Sequence, residues 1–167
     1  MVRMALGKDY AAQDCSLARA LEVVGERWTL LIVRDAFYGV RRFSDFHVHL
    51  DVPRAVLSAR LQSLVETGLL AKDGHDYVLT DMGRDLWPVV HSLARWAENH
   101  LSSEPTRFFV HIACGTRVGP DGTCASCERY VPPEDLEVHA GPGVRRRTDP
   151  VSVILRSPHR LLDPIRT

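Results

Sequence analysis

Three observations predict an α+β fold, mainly α, for this chain. Pro53–Thr67 carries Leu57, Leu61, Leu64 and Val65 at helical spacing, while Arg54, Ser58, Ala59, Arg60 and Gln62 lie on and around its other face. Directly after it, Leu69–Lys72, Asp73-Gly74-His75-Asp76 and Tyr77–Thr80 read as strand, turn and strand. From Asp81 to Leu101 a further helical pattern carries Leu86, Val89, Val90, Leu93, Trp96, Ala97 and Leu101, more apolar surface than one small core can cover. A polar-faced helix followed by a β-hairpin is the pattern of a winged helix-turn-helix domain. A core helix has no need of arginine, serine and glutamine on its free side, whereas a helix in a DNA major groove does. The surplus apolar face predicts a homodimer through the first helix and the 81–101 helix.

Taken in order, residues 1–13 show no periodicity and read as a loose arm. Asp14 or Ser16 can cap a helix through Val24, with Leu17, Ala20, Leu21 and Val24 as its apolar face, and Gly25 ends it. Glu26–Tyr38 reads as a more apolar helix, with Trp28, Leu31, Ile32 and Ala36 at the centre of the core. Phe43, Phe46 and Leu50 predict a short helix, Leu50-Asp51-Val52 a turn, and Pro53 the opening of the next helix, where its fixed φ is suited. Thr80 is placed to cap the 81–101 helix. Pro88 inside that span demands a bend near Arg84–Pro88, since a proline in a continuous helix costs about 3 kcal/mol. The winged domain with its dimerisation helix thus covers residues 14–101.

Beyond a linker at Ser102–Thr106, residues 107–140 read as a small Cys-rich β extension, with strands Phe108–Ile112 and Leu136–His139 flanking a loop. That loop carries His111-x-x-Cys114 and Cys124-x-x-Cys127, separated by the Gly- and Pro-containing stretch Gly115–Thr123. Two short pairs brought together by a turn are what a tetrahedral Zn site requires, so His111, Cys114, Cys124 and Cys127 are the candidate ligands, with His139 as a substitute for His111. A closed four-ligand site is structural, and it would hold together a piece too small to bury its own core. Free thiols, or a redox pair at Cys124 and Cys127, fit the same spacing. Cys15 stands apart, at the start of the first helix, where the helix dipole favours negative charge; it reads either as a redox-sensing thiol or as a small residue packed at the dimer interface.

Residues 141–167 hold six arginines (Arg145, Arg146, Arg147, Arg156, Arg160, Arg166) against Asp149 and Asp163, in a chain of net charge zero. Gly141-Pro142-Gly143, Pro150, Pro158 and Pro164 break this stretch, which predicts a basic, partly disordered tail with Val151–Leu155 able to add an edge strand. Zero net charge excludes binding nucleic acid by bulk charge alone and leaves a localised basic face as the route. The absence of a leader-like N-terminus and of a spanning apolar run predicts a cytoplasmic protein with no membrane partner. No Gly-rich phosphate loop, nucleophile elbow or helical His-Glu-x-x-His is present, and the histidines at 47, 49, 75, 91 and 100 show no carboxylate partners in the sequence. An enzyme is therefore not expected. The alternatives to a DNA-binding protein are a dithiol oxidoreductase using Cys124 and Cys127, and a winged-helix protein-interaction module.

Over residues 15–101 the stretches CSLARALEVVGERWTLLIVRDAFYGVRRFSDF, PRAVLSARLQSLVETGLL and YVLTDMGRDLWPVVHSLARWA resemble, in order and spacing, the bacterial HxlR-type winged helix-turn-helix transcriptional regulators, relatives of the MarR-like group. The motifs that carry the resemblance are Gly25-x-x-Trp28-Thr29-Leu30-Leu31, Arg42-Phe43-Ser44-Asp45-Phe46, Leu57-Ser58-x-Arg60-Leu61 and Leu79-Thr80-x-x-Gly83-Arg84. It implies a homodimer on a near-palindromic operator, with the Pro53–Thr67 helix in the major groove and the wing along the backbone or minor groove. By the same resemblance Arg54, Ser58, Arg60 and Gln62 contact DNA, Arg41, Arg42 and Lys72 contact phosphates, and Cys15 occupies the position of a redox-sensing cysteine, leaving a redox or small-molecule effector open. The wing departs from the pattern. Its turn is short and carries Asp73 and Asp76, which are unfavourable beside phosphates.

Overall fold

The structure, a computed structural model, describes residue 10 and residues 12–101 and 104–167. Most of the N-terminal arm and part of the Ser102–Thr106 linker lie outside the described residues. Helix α1 (Ser16–Val24) follows Cys15 in its N-cap position, and α2 (Thr29–Phe37) follows Trp28, whose φ of 78° sets the chain off the helical path. The expected Glu26 start is therefore three residues early. Ile32 and Ala36 are buried as expected, but Leu31 is exposed and Trp28 only half-buried, beneath the Arg27 guanidinium. The face α2 buries runs instead through Ile32, Val33, Ala36 and Phe37.

Helices α3 (Phe43–Leu50) and α4 (Arg54–Glu66) form the helix-turn-helix, with Asp51 at φ 52° making the turn and Pro53 preceding α4. Strands β1 (Leu70–Asp73) and β2 (Asp76–Leu79) pair antiparallel from Leu70 opposite Leu79 to Asp73 opposite Asp76. The wing tip is thus the two residues Gly74 and His75, tighter than the four read from the sequence, with Gly74 at φ 59°. Thr80 caps the next helix as expected, its hydroxyl accepting from the Gly83 N–H at 3.1 Å. A Cβ at Gly83 would stand 2.1 Å from the Leu69 carbonyl, so only glycine lets this turn lie against the wing. The helix then breaks where Pro88 requires it, into α5 (Asp81–Arg84) and α6 (Trp87–His100), with the proline in the first turn of α6.

In the extension, β3 (Arg107–His111) is followed by a small hairpin of β4 (Thr123–Cys124) and β5 (Arg129–Tyr130). Strand β6 (Leu136–Ala140) pairs antiparallel with both β3 and β7 (His159–Arg160), giving the order β3-β6-β7. Residues 141–167 are not a disordered tail. Val151–Leu155, expected as an edge strand, lies in and at the end of helix α7 (Pro150–Ile154), because Asp149 accepts from the Ser152 N–H at 2.9 Å and Pro150 begins the helix; the edge strand is β7. Val151, Leu155, Leu161 and Ile165 are fully buried in the same core as Ile32, Phe37 and Leu57. The segment straps across α2: Leu162 N–H donates to the Phe37 carbonyl and Ile165 N–H to that of Gly39. A Cβ at Gly39 would lie 1.7 Å from the Asp163 carbonyl.

An aromatic row joins the two regions. Trp87 meets Phe37 at 5.0 Å and Phe109 at 4.9 Å, and His91 meets Phe109 at 5.4 Å. Among the described residues no helix is long and apolar enough to cross a membrane.

Candidate DNA-reading face and metal centre

Helix α4 buries Leu57, Leu61 and Leu64 against the core and leaves Arg54, Ser58, Ala59 and Gln62 exposed. That division follows from the 3.6-residue repeat, which puts residues three and four apart on one side. The Arg54 guanidinium stacks 5.2 Å over Phe43 of α3, so the first turn of α4 is braced with its cation free of any carboxylate among the described residues. Gln62 donates to Glu66 at 2.9 Å, and Arg60, only partly exposed, stands 3.7 Å from Glu26. Arg60 therefore sits at the edge of the polar row, not in its middle.

The residues expected on phosphates are spread differently. Arg42 is exposed and 3.9 Å from Asp76, so the wing acid that repels phosphate also draws on a neighbouring cation. Lys72 stacks over Tyr77 at 5.2 Å on the wing. Arg41 donates to the Leu162 carbonyl at 3.1 Å and is half-covered by the C-terminal strap, which no local pattern could have revealed. His49, which shows no partner in the sequence, is buried with its Nδ1 2.7 Å from the Asp35 carboxylate, and Asp35 in turn meets Arg34 at 2.6 Å. Burial pushes the Asp35 carboxyl up, but Arg34 and the His49 bond more than offset this and hold it below the usual range.

The Cys/His pairs converge. The β3 end supplies His111, the turn after it Cys114, and the β4–β5 hairpin Cys124 and Cys127; their ligand atoms all lie within 4.8 Å of one another. Cys114 Sγ is 3.2 Å from His111 Nδ1 and 3.4 Å from Cys124 Sγ, and Cys127 Sγ is 3.4 Å from His111 Nδ1. A tetrahedron with metal–sulfur bonds of about 2.3 Å has edges of about 3.8 Å, so the cluster is of the right size and donor set to hold a metal ion. His139 plays no part: it stacks on Phe108 and bonds to Glu137 at 2.7 Å.

Thr116 hydrogen bonds bring the Cys114 thiol down to about 6, while the bond from Cys114 pushes Cys127 up to about 11, as expected where one thiolate among several thiols is favoured. His111 Nε2 lies 3.2 Å from an Arg129 N–H donor, which suits the tautomer with its proton on Nδ1. Metal at Nδ1 demands the other tautomer. Cys15 is an exposed, free thiol at the start of α1, remote in sequence from this cluster.

A helix-turn-helix with a hairpin wing and a free polar row on its second helix defines a DNA-binding regulator of the winged class, here carrying a Cys/His cluster. The model of the HxlR-like helix-turn-helix family matches residues 23–105. The uncharacterized HTH-type transcriptional regulator Rv3095 of Mycobacterium tuberculosis is 39% identical over 141 residues, spanning 79% of this chain and 89% of that protein. The uncharacterized HTH-type transcriptional regulator YvaP of Bacillus subtilis is 32% identical over 87 residues, 47% of this chain and 81% of its own. Among solved structures, PA1607 matches with a TM-score of 0.50 at 42% identity, covering 53% of this chain and 66% of that one. The chain belongs to the HxlR-like helix-turn-helix family of transcriptional regulators. Its Cys/His cluster and C-terminal strap lie beyond the family match, which ends at residue 105.

Proposed function

We propose that the protein acts as a homodimer on a near-palindromic operator, with α4 as the reading helix and the His/Cys cluster holding a structural zinc ion. The observation that carries the DNA-reading part is the exposed row Arg54, Ser58, Ala59 and Gln62 set opposite a fully buried leucine face. Arginine pairs bidentately with guanine edges and glutamine with adenine. Arg42 and Lys72 are the phosphate contacts, with Arg60 at the margin and Arg41 secondary because of its bond to Leu162.

The dimer reading is supported by the apolar residues that the single chain leaves in solvent: Leu17 and Leu21 on α1, and Val89, Leu93 and Trp96 on α6. The donor set favours zinc because three thiolates and an imidazole in tetrahedral reach suit it. The oxidoreductase alternative loses ground because Cys124, one of its two thiols, is fully buried.

A mobility shift on DNA flanking its own gene tests the reading. Arg54→Ala should lose about tenfold or more on the operator and less on random DNA, whereas Lys72→Ala should lose a few-fold equally on both. Equal losses for Arg54→Ala would sink the base-reading role, and a footprint of one half-site would sink the dimer. For Cys15 we infer a redox-responsive thiol, since it is exposed at the N-cap of α1, beside the proposed interface. Diamide should then change operator binding of the wild type and leave Cys15→Ser unmoved; equal responses dispose of the switch.

A further inference from the structure

Between the winged domain and the extension lies a cavity of about 370 Å³ that neither the reading helix nor the Cys/His cluster uses. Five guanidiniums line it: Arg34 from α2, Arg95 from α6, Arg107 from β3, and Arg145 and Arg147 from the segment before α7. Three of them have carboxylate partners, Arg34 with Asp35, Arg95 with Glu98 and Arg147 with Asp149. The other two do not. Arg107 spends one N–H on the Leu155 carbonyl and meets no carboxylate, and exposed Arg145 makes no hydrogen bond or ion pair among the described residues. Arg95 Nε is buried and unpartnered among the described residues. The wall between these cations is apolar, from Tyr38, Phe109 and Val144.

Like charges crowded into a half-buried space cost stability unless something anionic offsets them. Burial already pulls the Arg107 pKa below its ordinary value, and neighbouring Arg34 adds to this. The volume falls in the range of small-molecule pockets, and the mixture of apolar wall with a few converging charges is the usual composition of such a site.

We propose that this cavity binds a small organic anion, its carboxylate or phosphate head on Arg107 and Arg145 and its apolar body against Tyr38, Phe109 and Val144. The site also sits where it can act on DNA binding. Its walls include His49 of α3, the first helix of the helix-turn-helix, and α6, whose outer face is the proposed dimer surface. Arg147 reaches further onto α3, donating to the Val48 carbonyl at 3.4 Å. An anion that draws Arg107, Arg145 and α6 together changes how α6 and α3 sit on α2, the helix both pack against, and so the spacing of two reading helices in a dimer. This coupling rests on the regulator reading given above; the binding itself does not.

Calorimetry on the full chain, purified without chelator, tests the binding with four probes: benzoate, phenyl phosphate, neutral benzamide and inorganic phosphate. At least one organic anion should bind, with benzamide and inorganic phosphate weaker by about tenfold or more. The better of benzoate and phenyl phosphate identifies the head group. Arg145→Gln, an exposed position, should weaken that anion by about fivefold or more with an unchanged melting temperature, and Arg107→Lys should weaken it as well because bidentate geometry is lost. Equal binding of benzamide, equal binding of inorganic phosphate, no binding of either organic anion at about 10 mM, or wild-type affinity in both variants overturns the site. A mobility shift at matched ionic strength then tests the coupling: a change of about fivefold in operator affinity supports it, and an anion that binds without moving that affinity overturns it. Failure of the anion-free protein to bind DNA overturns the regulator reading while the calorimetry still decides the site.

Discussion

On α4 the buried side chains are Leu57, Leu61 and Leu64, whereas from His111 to Val131 the buried apolar side chains are Val118, Cys124 and Val131. Helix α4 is held by apolar area removed from water, three leucines facing a core that runs from Ile32 to Ile165. The Cys-rich loop gives that core only Val118, Cys124 and Val131 over 21 positions, and most of its other side chains are exposed. Its shape comes from short turns at Gly115 and Gly122, both at positive φ, and from four ligand atoms facing one point. One region is held by what it excludes; the other gathers four side chains that could hold a metal ion.

Removing metal gives the sharpest test of that contrast. Chelation, or Cys124→Ser, should strip the ion and raise hydrogen exchange over residues 111–131, while α4 and the wing keep their protection; structural zinc binding in small peptides is worth on the order of 10 kcal/mol. Equal loss of protection in α4 would show the two regions to be one unit. Leu61→Ala should do the opposite, costing about 2–5 kcal/mol in urea unfolding with metal content unchanged. A cost below about 1 kcal/mol would mean the leucine face does not anchor the helix.

The seam between the regions offers a subtler probe. Burial, aided by Arg95, pushes His91 down to about 4, so the native state keeps this imidazole neutral where the unfolded chain protonates it. Its contribution is complete above about pH 6.5 and is lost as pH falls toward 4, to a total of about 3 kcal/mol. Wild type should therefore lose about that much more stability than His91→Gln between pH 7 and 4, and parallel curves would remove His91 from the seam.

The helix-turn-helix was legible because its signals are local: leucines at helical spacing, Pro53 before α4, Thr80 three residues before Gly83. The Cys/His cluster was legible for a similar reason, two pairs each with two intervening residues. What escaped is non-local. Trp28 looks like a core residue until its backbone turns to φ 78°, which no spacing announces. The stretch 141–167 is so rich in Arg, Pro and Gly that four buried apolar side chains, at 151, 155, 161 and 165, leave no periodic trace. The cationic cavity draws its arginines from positions 34, 95, 107, 145 and 147, and the Asp35–His49 pair spans a helix boundary. Charges that meet only after folding cannot be paired from the sequence alone.

The strap that closes over Gly39 has a consequence in time. A growing chain makes the helix-turn-helix, the wing and the Cys-rich loop before Leu161 and Ile165 exist to cover α2. During synthesis the groove at Phe37 and Gly39 stands open to water, and the nascent protein already carries α4 on an unfinished core. Completion of that core waits for Leu161 and Ile165, so chains that stop short of them should be open to proteolysis.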